Sequence, residues 1–323
     1  MADKKIKGLK IVCLGGGIGT SNLVKGLKKY SPHITVITSM ADDGGSSGRL
    51  RKSYNIMPPG DMVSCIAALI EDKNKEMASI LTYRFPGNKK DYRILDGHKL
   101  GNLIMLAEML RTKDVYKAIE ATKKMFGVTA DILPASDVRT HLSGITNDGR
   151  VVHSEDTLTL AKYSQPFGLK KIYLMPKSPK VNRKVIVSLQ KAEVIISGPG
   201  DLYTNQLPVL IIPQIRNALL KSKAKKIFVL NVTNKPFETK GFTLSMYISA
   251  FIAHLEKFPF NLIIANNKFV HKIPGKYRDY GFIKIDKDNI SKNFKLIEDD
   301  VINKDFPIYH DSDKLAKVIL KNI

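Results

Sequence analysis

The sequence predicts an α/β protein built on a doubly wound, mostly parallel sheet that carries a small antiparallel insertion. Short apolar runs rich in β-branched residues alternate along the chain with segments of helical period. Polar loops rich in glycine or proline follow several of the apolar runs. This alternation is typical of a parallel sheet covered by helices on both faces.

The first part of the chain predicts a β-loop-α-β unit. Leu9–Leu14 and Ile34–Ser39 are expected to be buried strands, with a helix over Ser21–Tyr30 between them. A helix between two strands implies that the strands are parallel. Asp61–Glu71 and Asn102–Leu110 are predicted to be the next helices, because each follows a glycine and begins with a residue able to cap it.

The middle of the chain changes character. Residues 138–153 alternate in hydrophobicity around Asn147-Asp148-Gly149, which predicts an antiparallel hairpin. No linker, repeat or low-complexity tract divides the chain. We therefore expect one nucleotide-binding domain over residues 1–323, with the hairpin as an insertion and a C-terminal extension around residues 270–323.

The α/β alternation then resumes. Glu193–Ser197, Lys226–Val232 and Asn261–Ala265 are predicted strands, and Leu207–Lys221 and Leu244–Phe258 are predicted helices. In doubly wound sheets, ligands bind at the carboxyl ends of the strands, where the strand order reverses. The loops after the strands are therefore the first place to look for chemistry.

Composition restricts the class of protein. No run of about eighteen apolar residues is present, so we expect no membrane insertion, and we expect a cytoplasmic location. Cys13 and Cys65 lie in apolar surroundings and are expected to be reduced core residues. The net charge is +22, but arginine supplies only 10 of the 52 basic residues and the lysines are scattered, so nucleic-acid binding is the minor alternative.

The first βα loop is rich in glycine, and its candidate site residues are Gly15, Gly16, Gly17, Gly19 and Thr20. Glycines between a strand and a helix let backbone N–H groups approach a phosphate, and the helix N-terminus adds partial positive charge. The loop has no P-loop lysine and is not a strict GxGxxG. Phosphate binding is favoured over a tight turn without a ligand.

The second strand leads into ADDGGSSGR, a polar loop with two adjacent acids, Asp42 and Asp43. Adjacent residues of an extended chain point to opposite faces, so both acids can bind one ion only if the backbone turns. We expect one of the two to be a metal ligand, with Mg²⁺ as the candidate ion, and the other to be a structural or ribose partner. Asp43 is also a candidate for nucleotide binding. Ser46, Ser47 and Arg49 complete this candidate wall, and a solvated Asp-Gly turn is the alternative.

Four further loops follow strands or precede helices with similar chemistry. Asp61 is a candidate ligand, although an ordinary N-cap explains it about as well. Among the seven histidines, His98 is the best candidate for a functional role, although a lone histidine is more often structural. A composite site is favoured because the loops share one sheet edge. The other candidates are Asn102, Gly198, Gly200, Asp201, Asn231, Thr233 and Glu238.

These motifs together resemble one family of proteins. The segments GGGIGTSNLVKGLK, ADDGGSSGRLR, PPGDMVSCIAAL, GHKLGNL, GPGDLYT and NVTNKPFET occur in order over about three quarters of the chain. They are similar to the bacterial gluconeogenesis factors and the related CofD-like 2-phospho-L-lactate transferases. ADDGGSSGR and the spaced GHxLGN are the most specific, and the first places the chain nearer the gluconeogenesis factors.

The resemblance implies a Rossmann-like, three-layer α/β sandwich. For the gluconeogenesis factors it implies a cytoplasmic regulator that binds a UDP-sugar and is needed for carbon flow to the cell wall and for cell shape under gluconeogenic growth. For the transferases it implies Mg²⁺-dependent transfer of a 2-phospholactyl group from a guanylylated donor, with an acid near Asp42 and Asp43 helping to hold the metal. If the chain is an enzyme, it is then a transferase of phosphorus-containing groups.

Three positions depart from the family pattern. Ile18 stands where a threonine is usual, Phe237 where a glycine is usual, and Asp201 where a serine is common. These changes affect the choice of ligand more than the existence of a nucleotide site. We expect a nucleotide or nucleotide-sugar as the partner, and a homodimer is the candidate assembly.

Overall fold

Seven parallel strands form the central sheet.

The structure is a computed structural model that describes residues 8–87, 94–153, 168–236, 238–269, 272–290 and 293–323. The departure at Phe237 lies outside these ranges. The strands are β1 (Ile11–Leu14), β2 (Ile34–Thr38), β3 (Asp131–Pro134), β4 (His141–Thr146), β5 (Val151–His153), β6 (Leu169–Met175), β7 (Val194–Ser197), β8 (Lys225–Val229), β9 (Thr233–Asn234), β10 (Leu262–Asn266), β11 (Gly281–Phe282) and β12 (Lys295–Asp299).

The order of the strands places the ligand crevice. The central sheet runs β12-β10-β8-β7-β1-β2-β3, and every neighbouring pair in it is parallel. The chain builds outward from β1 through β2 to β3, then returns to place β7 on the other side of β1. The strand order therefore reverses between β1 and β7, and the loops after these two strands flank the crevice.

Helices cover both faces of the sheet. Along β1, Ile11 and Cys13 pack on one face, and Val12 and Leu14 pack on the other. The doubly wound, three-layer fold predicted from the sequence is confirmed. The α-helices of the described residues are α1 (Gly17–Leu27), α2 (Gly45–Tyr54), α3 (Gly60–Leu69), α4 (Lys75–Thr82), α5 (Leu100–Thr112), α6 (Val115–Met125), α7 (Arg183–Lys191), α8 (Leu207–Leu210), α9 (Pro213–Lys221), α10 (Leu244–Leu255) and α11 (Ser312–Lys321).

The antiparallel insertion is also confirmed. β4 and β5 pair antiparallel across the turn at Asn147–Gly149, and β6 pairs with the other edge of β4. Leu142, Ile172 and Leu174 of this small sheet are buried in the same core as the outer face of the central sheet. The hairpin is therefore part of the main core. Within the described ranges, no helix is long and apolar enough to cross a membrane.

Several helix boundaries differ from the sequence prediction. The polar loop expected at ADDGGSSGR is wrong from Gly45 onward, because helix α2 begins there and buries Ser46 and Ser47. The single helix expected over 207–221 is wrong as well. A π-helical turn covers Leu202–Gln206, and α9 starts anew at Pro213, whose ring nitrogen has no hydrogen to donate to an uninterrupted helix.

The first and last helices of the chain pack closely. A Cβ atom placed on Gly26 of α1 would lie 2.0 Å from the carbonyl oxygen of Ser312, at the start of α11. The last strand, β12, extends the sheet beside β10 in parallel. Residues from the C-terminal quarter thus pack against the first βα unit and reach the same sheet edge.

We predict that Gly26→Ala destabilises the protein by about 1–3 kcal/mol, because the added methyl group meets backbone that has no room to move. Helix propensity alone would favour alanine by up to about 1 kcal/mol. A net decrease in the free energy of unfolding would therefore be caused by the contact of the added methyl group with the Ser312 backbone. Gly275→Ala is the control, since nothing lies within 4 Å of its added Cβ. Denaturant unfolding measures both variants, and equal stability of the two would contradict the packing described.

Candidate functional site

The glycine loop after β1 opens helix α1 without a side-chain cap. Gly16 is the N-cap residue, and Gly17 has a φ angle of +64°, which a residue with a side chain adopts only with strain. The N–H group of Gly17 donates to Oδ1 of Asp61 at 2.8 Å. The N-cap role suggested for Asp61 is therefore wrong, because Pro59 holds that position and Asp61 binds a loop 44 residues earlier.

The loop after β7 lies directly against the first turn of α1. A Cβ atom on Gly19 would lie 2.4 Å from the carbonyl oxygen of Pro199. Asn231, in the loop after β8, holds Gly200 on both sides: its Oδ1 accepts from the Gly200 N–H at 2.9 Å, and its Nδ2 donates to the Gly200 carbonyl at 2.8 Å. The loops after β1, β7 and β8 are thereby fixed to one another.

These loops enclose a cavity of about 310 Å³ at the point where the strand order reverses. We call it the switch-point pocket. Its wall includes glycine backbone, amide side chains and residues from the C-terminal quarter of the chain. Its polar and aromatic lining consists of Asn22, Asp201, Asn205, Asn231, Thr233, Lys235, Tyr280, Tyr309 and His310.

Two buried polar atoms in the wall of this pocket lack a hydrogen-bond partner in the described part of the chain. They are Oδ1 of Asn205 and Nε2 of His310. Burial lowers the pKa of His310 to about 4, so the ring is neutral at pH 7. An unpartnered buried acceptor is costly, and such atoms in a pocket wall are ready to pair with a ligand.

Two of the charged side chains that line the pocket neutralise each other. Lys235 forms an ion pair with Asp201. Glu238, a candidate ligand in the sequence, is buried behind this pair. Its Oε1 accepts from the backbone N–H groups of Tyr203 at 2.6 Å and Thr204 at 2.9 Å. Glu238 thus holds the π-helical turn that follows the β7 loop.

The two adjacent acids occupy different environments. Asp43 forms a buried ion pair with Arg51, with Oδ1 and Nη1 3.1 Å apart, and Arg51 also donates to the carbonyl of Met40 at 3.2 Å. Asp42 instead accepts from the Gly44 N–H at 3.0 Å and lies beside Gly60. Burial raises the pKa of the Asp42 carboxyl. Asp43 is therefore engaged with the fold, while Asp42 faces the segment that carries Asp61.

Asp42 and Asp61 flank Gly60 and form the acidic wall beside the glycine loop. A Cβ on Gly60 would lie 3.0 Å from Oδ2 of Asp42, and a Cβ on Gly16 would lie 1.9 Å from Oδ2 of Asp61. Ser47 connects the two segments, because its Oγ accepts from the Gly60 N–H at 2.7 Å. In the ranges that the structure covers, no group of three or more His, Cys, Asp or Glu residues is arranged to hold a metal.

His98 links helix α2 to the GHKLGN segment. Its Nδ1 lies 3.1 Å from Oγ of Ser46, and its Nε2 accepts from Nε of Arg49 at 3.3 Å. Asn102 donates to the same Ser46 oxygen at 3.0 Å. Burial, and next the charge of Arg49, lowers the pKa of His98. These four candidates therefore form one hydrogen-bonded network beside the acidic wall, with a histidine suited to accept a hydrogen bond.

The remaining candidates are distributed between the wall and the core. Thr20 is buried under the glycine loop, and Thr233 lines the pocket while its Oγ1 donates to the Ile308 carbonyl at 3.4 Å. Gly198 and Gly200 form the β7 loop. Sequence reasoning missed Asn22, Asn205, Lys235, Tyr280, Tyr309 and His310, although NVTNKP, the motif that contains Lys235, carried a usable signal.

A wider groove of about 570 Å³ lies at the opposite edge of the sheet. It is lined by the amino ends of β1, β2 and β3 and by helix α7, with Lys10, His33 and Arg183 on its walls. None of the glycine loops reaches it. Because ligands of doubly wound sheets bind at the carboxyl edge, we place the functional site at the switch-point pocket.

Comparison with known proteins gives the family of this chain. The family model described as "2-phospho-L-lactate transferase CofD" matches residues 11–306. The chain belongs to the CofD family. The "Gluconeogenesis factor" of Bacillus subtilis is 35% identical over 317 residues, which cover 96% of this chain and 97% of the relative. The "Gluconeogenesis factor" of Halalkalibacterium halodurans is 33% identical over 332 residues, covering 98% and 97%.

A solved structure matches over the same extent. The crystal structure of a UPF0052 family protein from Bacillus halodurans is 32% identical, with a TM-score of 0.89, and the match covers 97% of this chain and 98% of that chain. The resemblance read from the motifs is thus confirmed, as is the fold. Both gluconeogenesis factors match nearly end to end.

We predict that Asp43→Asn destabilises the protein by about 3–5 kcal/mol, because it leaves the Arg51 guanidinium buried without a counter-charge. Glu71→Gln removes one partner of the exposed Glu71–Lys73 pair and is expected to change stability by less than about 0.5 kcal/mol. Denaturant unfolding compares the variants. A loss for Asp43→Asn no larger than the control's would show that the buried pair is not needed.

The raised pKa of Glu238 predicts that the stability of the fold depends on pH. Burial, and next the charge of Asp201, raises the pKa of Glu238 from 4.5 to about 8. The folded state therefore binds the proton more tightly than the unfolded state. The resulting stabilisation is fully present below about pH 4.5 and is lost as the pH rises to about 8. Glu238→Gln keeps the acceptor oxygen and is expected to remove this slope from the free energy of unfolding between pH 5 and 8; an unchanged slope would refute the assignment.

Proposed function

We propose that this protein is a regulator that binds a nucleoside diphosphate sugar, a UDP-sugar, in the switch-point pocket. The observation that carries the proposal is the pair of unpartnered buried acceptors, Asn205 Oδ1 and His310 Nε2, beside the glycine-rich N-terminus of α1. Helix N-termini of this kind bind phosphate through backbone N–H groups and the helix dipole. The diphosphate would lie against the glycine loop, next to Lys235.

The far side of the pocket suits the remainder of a nucleotide. Tyr280 and Tyr309 both line it, and aromatic side chains stack on nucleobases. Asn205 Oδ1 and His310 Nε2 would accept hydrogen bonds from the N–H and O–H groups of a base or sugar. A pocket of about 310 Å³ lies in the range of small-molecule sites.

A regulatory role is favoured over catalysis by the pocket's own lining. Among the described lining residues, no hydroxyl or thiol nucleophile is hydrogen-bonded to a histidine or carboxylate base; Thr233 donates instead to a backbone carbonyl. Two relatives are named gluconeogenesis factors, which supports a role in gluconeogenesis. We propose that this role concerns carbon flow to the cell wall and cell shape during gluconeogenic growth. Bound UDP-sugar would then report the supply of wall precursors.

Calorimetric titration tests the binding. We expect saturable binding of UDP-N-acetylglucosamine or UDP-glucose to the purified chain, and Asn205→Ala is expected to weaken it about 2- to 10-fold by removing one hydrogen bond. Asn74→Ala, an exposed amide away from the pocket, is the control and should leave the Kd unchanged. Absence of saturable binding by both UDP-sugars would overturn the proposal.

The cellular role has its own test. Expression of this chain in Bacillus subtilis lacking its gluconeogenesis factor is expected to restore growth and cell shape on a gluconeogenic carbon source. The Asn205→Ala variant should restore both less well. Full binding of UDP-sugar in vitro with no rescue in cells would contradict the regulatory role while leaving the binding site intact.

A second candidate function is a Mg²⁺-dependent transferase of the 2-phospho-L-lactate type. The observation that favours it is the acidic wall, where Asp42 and Asp61 lie beside the glycine loop. Mg²⁺ is usually bound by one or two carboxylates together with substrate phosphates, so these two residues suit it. A bound Mg²⁺ would neutralise phosphate charge, and Arg49 would add a second positive group near the wall.

Turnover of a guanylylated phospholactate with a deazaflavin acceptor tests this candidate. If turnover is detected, Asp42→Asn and Asp61→Asn should each reduce it strongly, and Glu71→Asn, an exposed acid outside the wall, should leave it unchanged. No turnover with Mg²⁺ present would sink the transferase candidate. Turnover that survives both wall substitutions would sink the metal role of these residues.

A further inference from the structure

Lys99 is a half-buried cation without an acidic partner in the described ranges. Its Nζ donates to Oγ of Ser64 at 2.9 Å, and Ser64 in turn donates to the Gly60 carbonyl at 2.7 Å. The ammonium group forms no ion pair with a described carboxylate, although the charges of Asp61 and Asp42 act on it from farther away. A lysine ammonium carries three donors, so two remain for another partner.

The ammonium faces a groove of about 450 Å³ between helices α1, α3 and α4. We call it the Lys99 groove and define it by Lys25, Ser64, Ala68, Lys75, Ala78 and Lys99. The alanines make part of its floor small and apolar, and Lys25 and Lys75 add positive charge at its sides. The groove therefore offers a short apolar surface that leads to an inner cation.

The Lys99 groove adjoins the switch-point pocket. Ile18 and Asn22, in the first turns of α1, line both cavities. Ile18 is 58% exposed on the ridge between them. A molecule in the groove would thus lie next to a nucleotide in the pocket, with the apolar Ile18 side chain between the two.

The acids of the groove do not neutralise Lys99. Glu71 pairs with Lys73 at 2.7 Å, and Asp72 pairs with Lys28 at 3.1 Å. Burial, and next the charge of Arg84, lowers the pKa of Lys99, so its environment favours arrival of a negative group. An anion at this position would gain a charge-assisted hydrogen bond and relieve the cost of the half-buried cation.

We propose that the Lys99 groove binds the carboxylate or phosphate group of a second small organic anion beside the bound nucleotide. This inference rests on the proposed function, because the anion is a second ligand only if a nucleotide occupies the neighbouring pocket. Lys99 holds the anionic group, Ser64 orients the lysine, and the apolar part of the ligand lies along Ala68 and Ala78.

Chemical labelling of the whole chain tests the proposal without a variant. UDP is first added to saturation, so that it blocks the switch-point pocket, and inorganic phosphate or acetate is then titrated. The acetylation rate of Lys99 by an N-hydroxysuccinimide ester is followed by mass spectrometry. We expect one of the two probes to slow it several-fold and saturably, with the more effective probe identifying phosphate or carboxylate as the recognised group. Exposed Lys52 should react at a constant rate.

A variant pair supplies the second measurement. Lys99→Met is expected to abolish binding of the effective probe to the UDP-loaded chain, while UDP itself still binds with a Kd within about twofold of the wild-type value. Lys75→Met, at the side of the same groove, is expected to weaken the probe less. Equal losses in the two variants would point to general charge attraction and overturn the assignment of Lys99.

The outcomes separate this inference from the proposed function. If UDP binds and neither probe changes the labelling of Lys99, the groove proposal is wrong and the nucleotide site stands. If UDP fails to bind and a probe still protects Lys99 saturably, the anion site stands and the nucleotide function falls. Protection of Lys99 that potassium chloride removes at concentrations that only screen general charge attraction would also overturn the groove proposal.

Discussion

The candidate site depends on one backbone contact, the approach of the first turn of α1 to the Pro199–Gly200 loop. The contact needs a residue without a side chain at Gly19, because a Cβ there would lie 2.4 Å from the Pro199 carbonyl oxygen. The parallel pairing of β1 with β7 brings the two loops to this distance, and Asn231 fixes the second loop from behind. The pocket is therefore a consequence of strand order as much as of its lining residues.

Charge is distributed so that most of the acidic groups near the pocket are engaged with the fold. Asp43 is held by Arg51, Glu238 by two backbone N–H groups, and Asp201 by Lys235. An ion-paired carboxylate presents less net charge, and the raised pKa of Glu238 favours its neutral form, so repulsion of an anionic ligand is limited. Asp42 and Asp61 do not line the switch-point pocket. The two functional candidates therefore share the glycine loop as the phosphate site and differ in whether the acidic wall takes part.

The sequence predicted the sheet because apolar, β-branched runs such as LKIVCL and NLIIA are typical of strands buried on both faces. This pattern does not depend on which residues pack against the strands. It also predicted the loops after β1 and β7. It missed the start of α2, where Gly45 and two serines have low helix propensity and buried hydrogen bonds override it. It left a local N-cap as an equal alternative for Asp61, whose hydrogen-bond partner is 44 residues away. No local sequence motif marks Tyr309 and His310 as site residues, because only the tertiary fold brings this C-terminal segment to the pocket.

Hydrogen exchange measured with and without UDP-N-acetylglucosamine tests the central claim most directly. If the ligand lies at the reversal of strand order, the amides of residues 15–20 and 198–206 should gain protection together, along with those of residues 308–310. The groove at the amino ends of β1 to β3, including Lys10 and His33, should exchange as before. Protection confined to that groove, with no change in the two glycine loops, would contradict the account.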